Sequence, residues 1–423
     1  MFILILDLSC FEHKYHIIKH FEPFMKGKEF KPTKLSLISL LLASMLMLMG
    51  GAAVAPALPS ISIAFPNASE SLINLIITLP SLAIALTGLI IGALSDKVGK
   101  VKVLLFSLLL FAVAGITGYF LNDIYAILVG RFFVGIGIAG ITSCCTALIA
   151  EYYTGMTRVK VLSYQSAAMG IGVLLLETTG GALAGISWRD PFLIYALGFF
   201  IFALALVSLK EPRRPEREMT EEIKSEETFN LKLVFACYAT IFLTMIIFFA
   251  LPSKLPYYLA EINAPSIMAG IFLGIQGICN ALTSLSFRRI SSAIERFRLL
   301  AIAFFLMGVG FALLYLPHSY VSITIAMIFT GVGVGLISPT VSTTLASQSV
   351  AKTSGKIMGG YSTALNLGQF AATLALVPIL AYVGDYGGLF LVIGIIALLV
   401  GVVYTVVSLF TSKAHAKKKE ASA

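Results

Sequence analysis

Arg131 and Glu177 are the two charged residues that lie well inside long apolar stretches of this 423-residue chain. Charges in such surroundings are expensive, and they persist where they pair, titrate or line a water-filled path. A buried carboxylate can take up and release a proton or meet a cation, and a neighbouring guanidinium biases it toward ionisation. Other chemistries find little support. The five histidines, His13, His16, His20, His318 and His415, fall in tails or loops, so no metal centre and no membrane-embedded enzyme is expected. Cys10, Cys144, Cys145, Cys237 and Cys279 have neither metal nor redox spacing and read as small buried hydrophobes, with no disulfide framework. No phosphate-binding G-x-x-x-x-G-K-[ST] loop occurs, so no cofactor is expected and energy must come from a gradient or a partner.

The elements that position these residues follow from composition. Hydrophobic residues make up 58% of the chain and charged residues 12%, with a mean hydropathy of +0.95. Soluble domains carry roughly 25% charged residues, so a soluble enzyme, a disordered chain and a nucleic-acid binder are excluded. A helix needs about 20 apolar residues to cross a bilayer. Twelve stretches qualify, near 36–58, 72–94, 101–121, 124–149, 161–186, 190–209, 233–252, 266–286, 299–316, 320–346, 357–382 and 387–410. At such lengths only helices satisfy their backbone in lipid, so the expected fold is all-α.

With the amino terminus placed in the cytoplasm, 27 of the 30 lysines and arginines fall on the cytoplasmic side. Arg189 and Lys254 fall in outer connections, and Arg131 remains inside a span. This asymmetry is the positive-inside pattern of a multi-pass protein with both termini cytoplasmic, and it explains the net charge of +9 without a nucleic-acid partner. Arg131 then lies about seven residues (~10 Å) and Glu177 about nine residues (~14 Å) below the outer surface, in neighbouring antiparallel spans. The two are expected to face one cavity, with Glu177 a protonation or cation-sensing site. The alternatives are an arginine that snorkels and a carboxyl that stays protonated and silent.

The chain divides into a tail (1–35), a six-span bundle (36–209), a charged Pro-containing linker (210–230), a second six-span bundle (231–410) and a basic tail (411–423). Residues 1–24 lack a basic start and a cleavage site, so they are no signal peptide, and Met25 reads as an alternative start. A shift of 196 residues superposes Phe133-Val-Gly135-Ile-Gly137 on Phe329-Thr-Gly331-Val-Gly333, and Lys160, Ser166, Ala168 and Gly172 on Lys356, Ser362, Ala364 and Gly368. Six spans per copy is an even number, so the repeat is parallel rather than inverted.

Between spans 2 and 3 the chain reads Gly92-Ala-Leu-Ser-Asp96-Lys97-Val-Gly99-Lys100-Val-Lys102. This resembles the signature loop of the major facilitator superfamily, G-x-L-x-D-R-x-G-R-K, and the likeness extends over nearly the whole chain beyond residue 30. Gly92 would allow close helix approach and Gly99 a tight turn. The resemblance implies that Asp96 latches the two halves together in one state. Gly130-Arg131-Phe-Phe-Val134-Gly135 is similar to the family's span-4 motif, with valine at the usual glutamine. Glu151 and Arg158 resemble the loop after that span, where a plain surface salt bridge is the alternative.

In span 5, Gly172-Val-Leu-Leu-Leu176-Glu177-Thr-Thr-Gly180-Gly181 aligns with the antiporter motif of drug exporters, with Leu-Glu replacing its Gly-Pro. Pro252-Ser-Lys254-Leu-Pro256-Tyr257-Tyr258-Leu259 resembles a pattern of bacterial exporters. The amides Gln276, Asn280, Asn366 and Gln369 either line a substrate cavity or bond helix to helix.

The resemblance implies a twelve-span monomeric secondary transporter in a prokaryotic cytoplasmic membrane, driven by the proton gradient. Its solute would be small and lipophilic, exported by proton antiport as in multidrug efflux. A metabolite symporter or uniporter of the same fold is the alternative.

Overall fold

The computed structural model describes residues 32–212, 230–316, 319–348 and 354–420. The expected start at Met25, the tail before it and most of the 210–230 linker lie outside the described residues. Among the described residues, twelve helices are long and apolar enough to cross a membrane. They are α1 (Lys34–Ala64), α2 (Glu70–Val98), α3 (Lys100–Phe120), α4 (Ile124–Tyr152), α5 (Gly155–Ala184) and α6 (Asp190–Ser208), then α7 (Leu231–Glu261), α8 (Ser266–Ala293), α9 (Arg296–Leu313), α10 (Tyr320–Ser347), α11 (Ser354–Val383) and α12 (Tyr386–Glu420). No strand occurs among the described residues.

Helix starts are set by short polar caps. Thr33, Ser69, Asp123, Asn230 and Ser319 each accept a hydrogen bond from a first-turn backbone N–H of α1, α2, α4, α7 and α10. Breaks are set by proline and glycine. In α1 the helix is broken by 3-10 turns at Leu46–Leu48 and Ala55–Ala57, with one α-helical turn, Met49–Ala52, between them, and it resumes at Leu58. Pro56 and Pro59 lack the N–H groups a continuous helix would need there.

The helices alternate between two faces. On one, Ser36 donates to the Ser208 carbonyl at 2.7 Å and Tyr152 to the Lys210 carbonyl at 2.6 Å. This is the basic face, because the lysines and arginines of 97–102, 158–160 and 288–298, with Lys210 and Lys232, cluster there. On the opposite, distal face, Phe65 stacks edge-on to Trp188 and Tyr258 donates to the Leu314 carbonyl at 2.8 Å.

The repeat reappears in the packing. A Cβ on Gly135 would meet Pro80 and Ala83, and one on Gly331 would meet Gln276 and Cys279. A Cβ on Gly137 would meet Ser107 and Phe111, and one on Gly333 would meet Ala303 and Met307. Each contact moves by the same 196 positions. Two seams join the halves: α5 against α8, and α2 against α11.

One boundary differs from expectation in a way that matters. Span 7 was expected to end at Pro252, but α7 continues through Pro252 and Pro256 to Glu261. Proline removes one backbone donor without forcing a stop when neighbouring helices support the segment. Lys254 therefore sits within a buried helix and not in an outer connection.

Candidate functional site

Arg131 is 1% exposed and carries no carboxylate partner among the described residues. Its guanidinium instead serves the breaks in neighbouring helices. Pro80 in α2 has no N–H, so the carbonyl of Ile76, four residues earlier, lacks its helical donor. Arg131 Nε donates to that carbonyl at 2.9 Å. Its Nη2 donates to the carbonyl of Gly50 in the broken part of α1 and to Tyr195 Oη, the latter at 2.6 Å. Tyr195 Oη passes its own proton to the Met49 carbonyl at 3.1 Å. The Tyr195 ring lies 4.7 Å from Cζ, which adds a cation–π contact. One side chain thus ties α4 to α1, α2 and α6.

Glu177 is 7% exposed on α5, the helix that packs against α8, and its Oε2 has no partner among the described residues. Its backbone carbonyl lies where a Cβ on Gly270 would stand at 2.2 Å, so α5 and α8 touch here through glycine. The structure does not bring Arg131 and Glu177 together. Arg131 bonds inward to α1, α2 and α6, while the backbone of Glu177 lies against Gly270 in the other half.

The signature loop is a compact polar knot on the basic face. Gly99 turns the chain at φ +120°, a conformation that suits glycine. Its Cβ position would be filled by the Glu211 carboxylate at 2.9 Å. Glu211 accepts from the backbone N–H groups of Lys100 at 2.5 Å and Val101 at 2.9 Å, which caps α3. Lys100 Nζ pairs with Glu151 and lies 3.6 Å from Asp96.

Asp96 has a side chain 71% exposed, and its ion pair stays within its own half, so the latch expected of it is not engaged across the seam. Arg158 makes no ion pair with Glu151 among the described residues; Glu151 is held by Lys100. Gly92 is not at a close approach, since the nearest atom to an added Cβ is Ser143 Oγ at 3.9 Å. Lys97 belongs to the same loop near the end of α2.

The seam between α2 and α11 is polar. Thr78 and Thr373 hydroxyls lie 2.7 Å apart, and Ser81 Oγ donates to Gln369 Oε1 at 2.6 Å. At its distal end Lys254 Nζ reaches Glu70 Oε1 at 2.5 Å, and Tyr386 Oη donates to Glu70 Oε2 at 3.1 Å. Among the described residues, Gln369 alone of the four amides bonds across the halves. Gln276 Nε2 donates to Thr330 Oγ1 at 3.3 Å within the second half, Asn366 Nδ2 to its own helix at Ser362, and Asn280 accepts from Ser284. Glu70, Lys254 and Tyr386 were not expected as a site. The signals available were an acidic residue after the Ser69 cap and a lysine framed by two prolines.

The family profile described as Major Facilitator Superfamily matches residues 40–258 and 237–423. The chain belongs to the Major Facilitator Superfamily. It is 31% identical to Multidrug resistance protein 1 of Bacillus subtilis (strain 168) over 275 residues, covering 62% of this chain and 69% of that protein. It is 26% identical to the class H tetracycline resistance protein of Pasteurella multocida over 197 residues, or 46% and 49% of the two chains. Its fold is that of the E. coli xylose transporter XylE in an inward open conformation, at a TM-score of 0.68 and 17% identity, over 86% of this chain and 94% of that one. As a member of this superfamily, the protein is a multi-pass membrane transporter of small molecules.

Proposed function

We propose that this superfamily member exports apolar or amphiphilic compounds in exchange for protons, through alternating access of its two halves. Glu177 carries the reading: a buried carboxyl with an unbonded oxygen, on a helix that forms the seam between the halves. A group there changes its surroundings when the seam opens, which is what coupling protonation to conformation requires. Arg131 is not its counter-ion in this arrangement and acts by holding the first half together. The multidrug- and tetracycline-resistance names of the Bacillus subtilis and Pasteurella multocida relatives support export as the direction. Among the amides, we read Gln369, which bonds to Ser81 across the seam, as the one that feels its opening. The basic-residue asymmetry supports cytoplasmic termini, and the bacterial relatives support a prokaryotic cytoplasmic membrane.

Proteoliposomes with an imposed pH gradient, offered lipophilic cations, sugars and amino acids, test the reading. Amphiphile movement against the proton flow is expected, and Glu177→Gln should move solute without responding to the gradient. A second reading, carriage of a metabolite, draws on the Leu176-Glu177 pair where exporters have Gly-Pro, and on 33% identity over 147 residues to a putative metabolite transport protein of Haemophilus influenzae. Uptake of a single sugar or amino acid would select it.

A further inference from the structure

Lys254 is 2% exposed, and its ammonium meets a carboxylate that belongs to the other half of the molecule. Glu70 opens α2, and its second oxygen accepts from Tyr386 at the start of α12. Tyr386 stacks on Tyr257 at 5.9 Å and 16°, and the Lys254 ammonium lies 5.9 Å from the Tyr257 ring. Glu70 is thus gripped by two arms from the second half, one charged and one neutral.

The repeat makes this grip one-sided. Moving by 196 positions, Glu70 corresponds to Ser266 and Lys254 to Leu58, and the framing Pro252 to Pro56. Serine and leucine cannot form an ion pair, so the symmetry-related corner lacks this tie. On the basic face, the ion pairs of Lys100 stay within the first half. The halves are therefore tied at the distal face by a charge pair that the pseudo-symmetric fold does not itself supply.

We propose that Glu70 and Lys254 form the tie that sets how readily the distal face opens. This rests on the alternating-access reading above and assigns neither residue any contact with solute; both are positioning residues. Burial of an ammonium is tolerated only with its counter-charge in place. In the closed arrangement Lys254 has Glu70; once the halves part distally, water can replace it. Glu70 is different, because its side chain is 29% exposed and keeps water and Tyr386 when Lys254 is gone. The two residues are therefore not equivalent. Removing Glu70 strands a buried charge and pushes the molecule open, while removing Lys254 merely loosens it.

The test is a distance measurement between spin labels on distal residues of opposite halves, Ile186→Cys and Tyr382→Cys, which are 78% and 93% exposed. The full chain, with Cys10 and Cys279 replaced by alanine, is placed in lipid nanodiscs without solute or pH gradient. Glu70→Gln should raise the long-distance population several-fold. Lys254→Met should raise it less, and the exchange Glu70→Lys with Lys254→Glu should bring it back toward the parent. Unchanged distances in Glu70→Gln, an equal effect from Lys254→Met, or an exchange variant no nearer the parent than Glu70→Gln would each overturn the proposal. Since no solute or proton flow enters the measurement, a failed antiport assay leaves this result standing, and the reverse also holds.

Discussion

A buried arginine without a carboxylate would ordinarily be a liability. Arg131 offsets this by donating to the Ile76 carbonyl, which Pro80 leaves without its helical partner, and to the Gly50 carbonyl of α1. Arg131→Leu should destabilise the folded protein by about 2–5 kcal/mol, since each buried acceptor left unmade costs roughly 1–3 kcal/mol. Pro80→Ala should recover part of that loss by returning a backbone donor to Ile76, an interaction that thermal unfolding of the four variants of a double-mutant cycle would measure. Loss in the double variant equal to the sum of the two single effects would mean that Arg131 and Pro80 act independently. That Arg131 and Glu177 lie within membrane-length helices was legible in the sequence, because apolar runs bound the spans on either side of them. Their direction around the helix was not legible, and two residues at like depth need not face each other. Pro80 was a readable sign that the Ile76 carbonyl needed an outside donor, but not of which residue would provide it.

At the scale of single elements, caps and prolines decide what is presented where. The first turn of α3 is closed by Glu211, a residue from beyond α6, so the signature loop and the start of the linker are one hydrogen-bonded unit. Glu211→Ala should weaken that turn by about 0.5–2 kcal/mol, the usual worth of an N-terminal cap. Faster amide exchange confined to residues 100–103 would show it. The α5–α8 contact depends on Gly270, whose missing side chain admits the Glu177 carbonyl. Gly270→Leu should force the seam apart and abolish transport while leaving expression in the membrane intact, as assayed by flux in the proteoliposomes. Spans were legible here wherever twenty apolar residues ran between charges. The end of α7 was not, because Pro252 and Pro256 look like stops in sequence, and only packing lets the helix pass through them.

For the whole molecule, the repeat says that two similar six-helix halves were joined, and the glycine contacts shared at 196-residue spacing bear out that register. The seams are where the halves differ, and their residues could not be picked out because which helices face each other across a pseudo-symmetric axis is a property of the assembled fold. Thr78 and Thr373 meet across one seam with their hydroxyls 2.7 Å apart. The double variant Thr78→Cys, Thr373→Cys should cross-link under mild oxidation, arrest transport and recover it on reduction, with gel mobility and flux as the readouts.

The tie at the distal face has an electrical corollary. Glu70 and Lys254 sum to zero charge, and they sit at one level, on opposite sides of the joint. Parting them sideways carries no net charge along the membrane normal. A single elementary charge crossing the full field would feel about 2.3 kcal/mol per 100 mV, but this step feels almost none of it. The opening of the distal mouth would thus be indifferent to voltage, and any electrogenic character of the cycle would belong to the proton and the solute that cross.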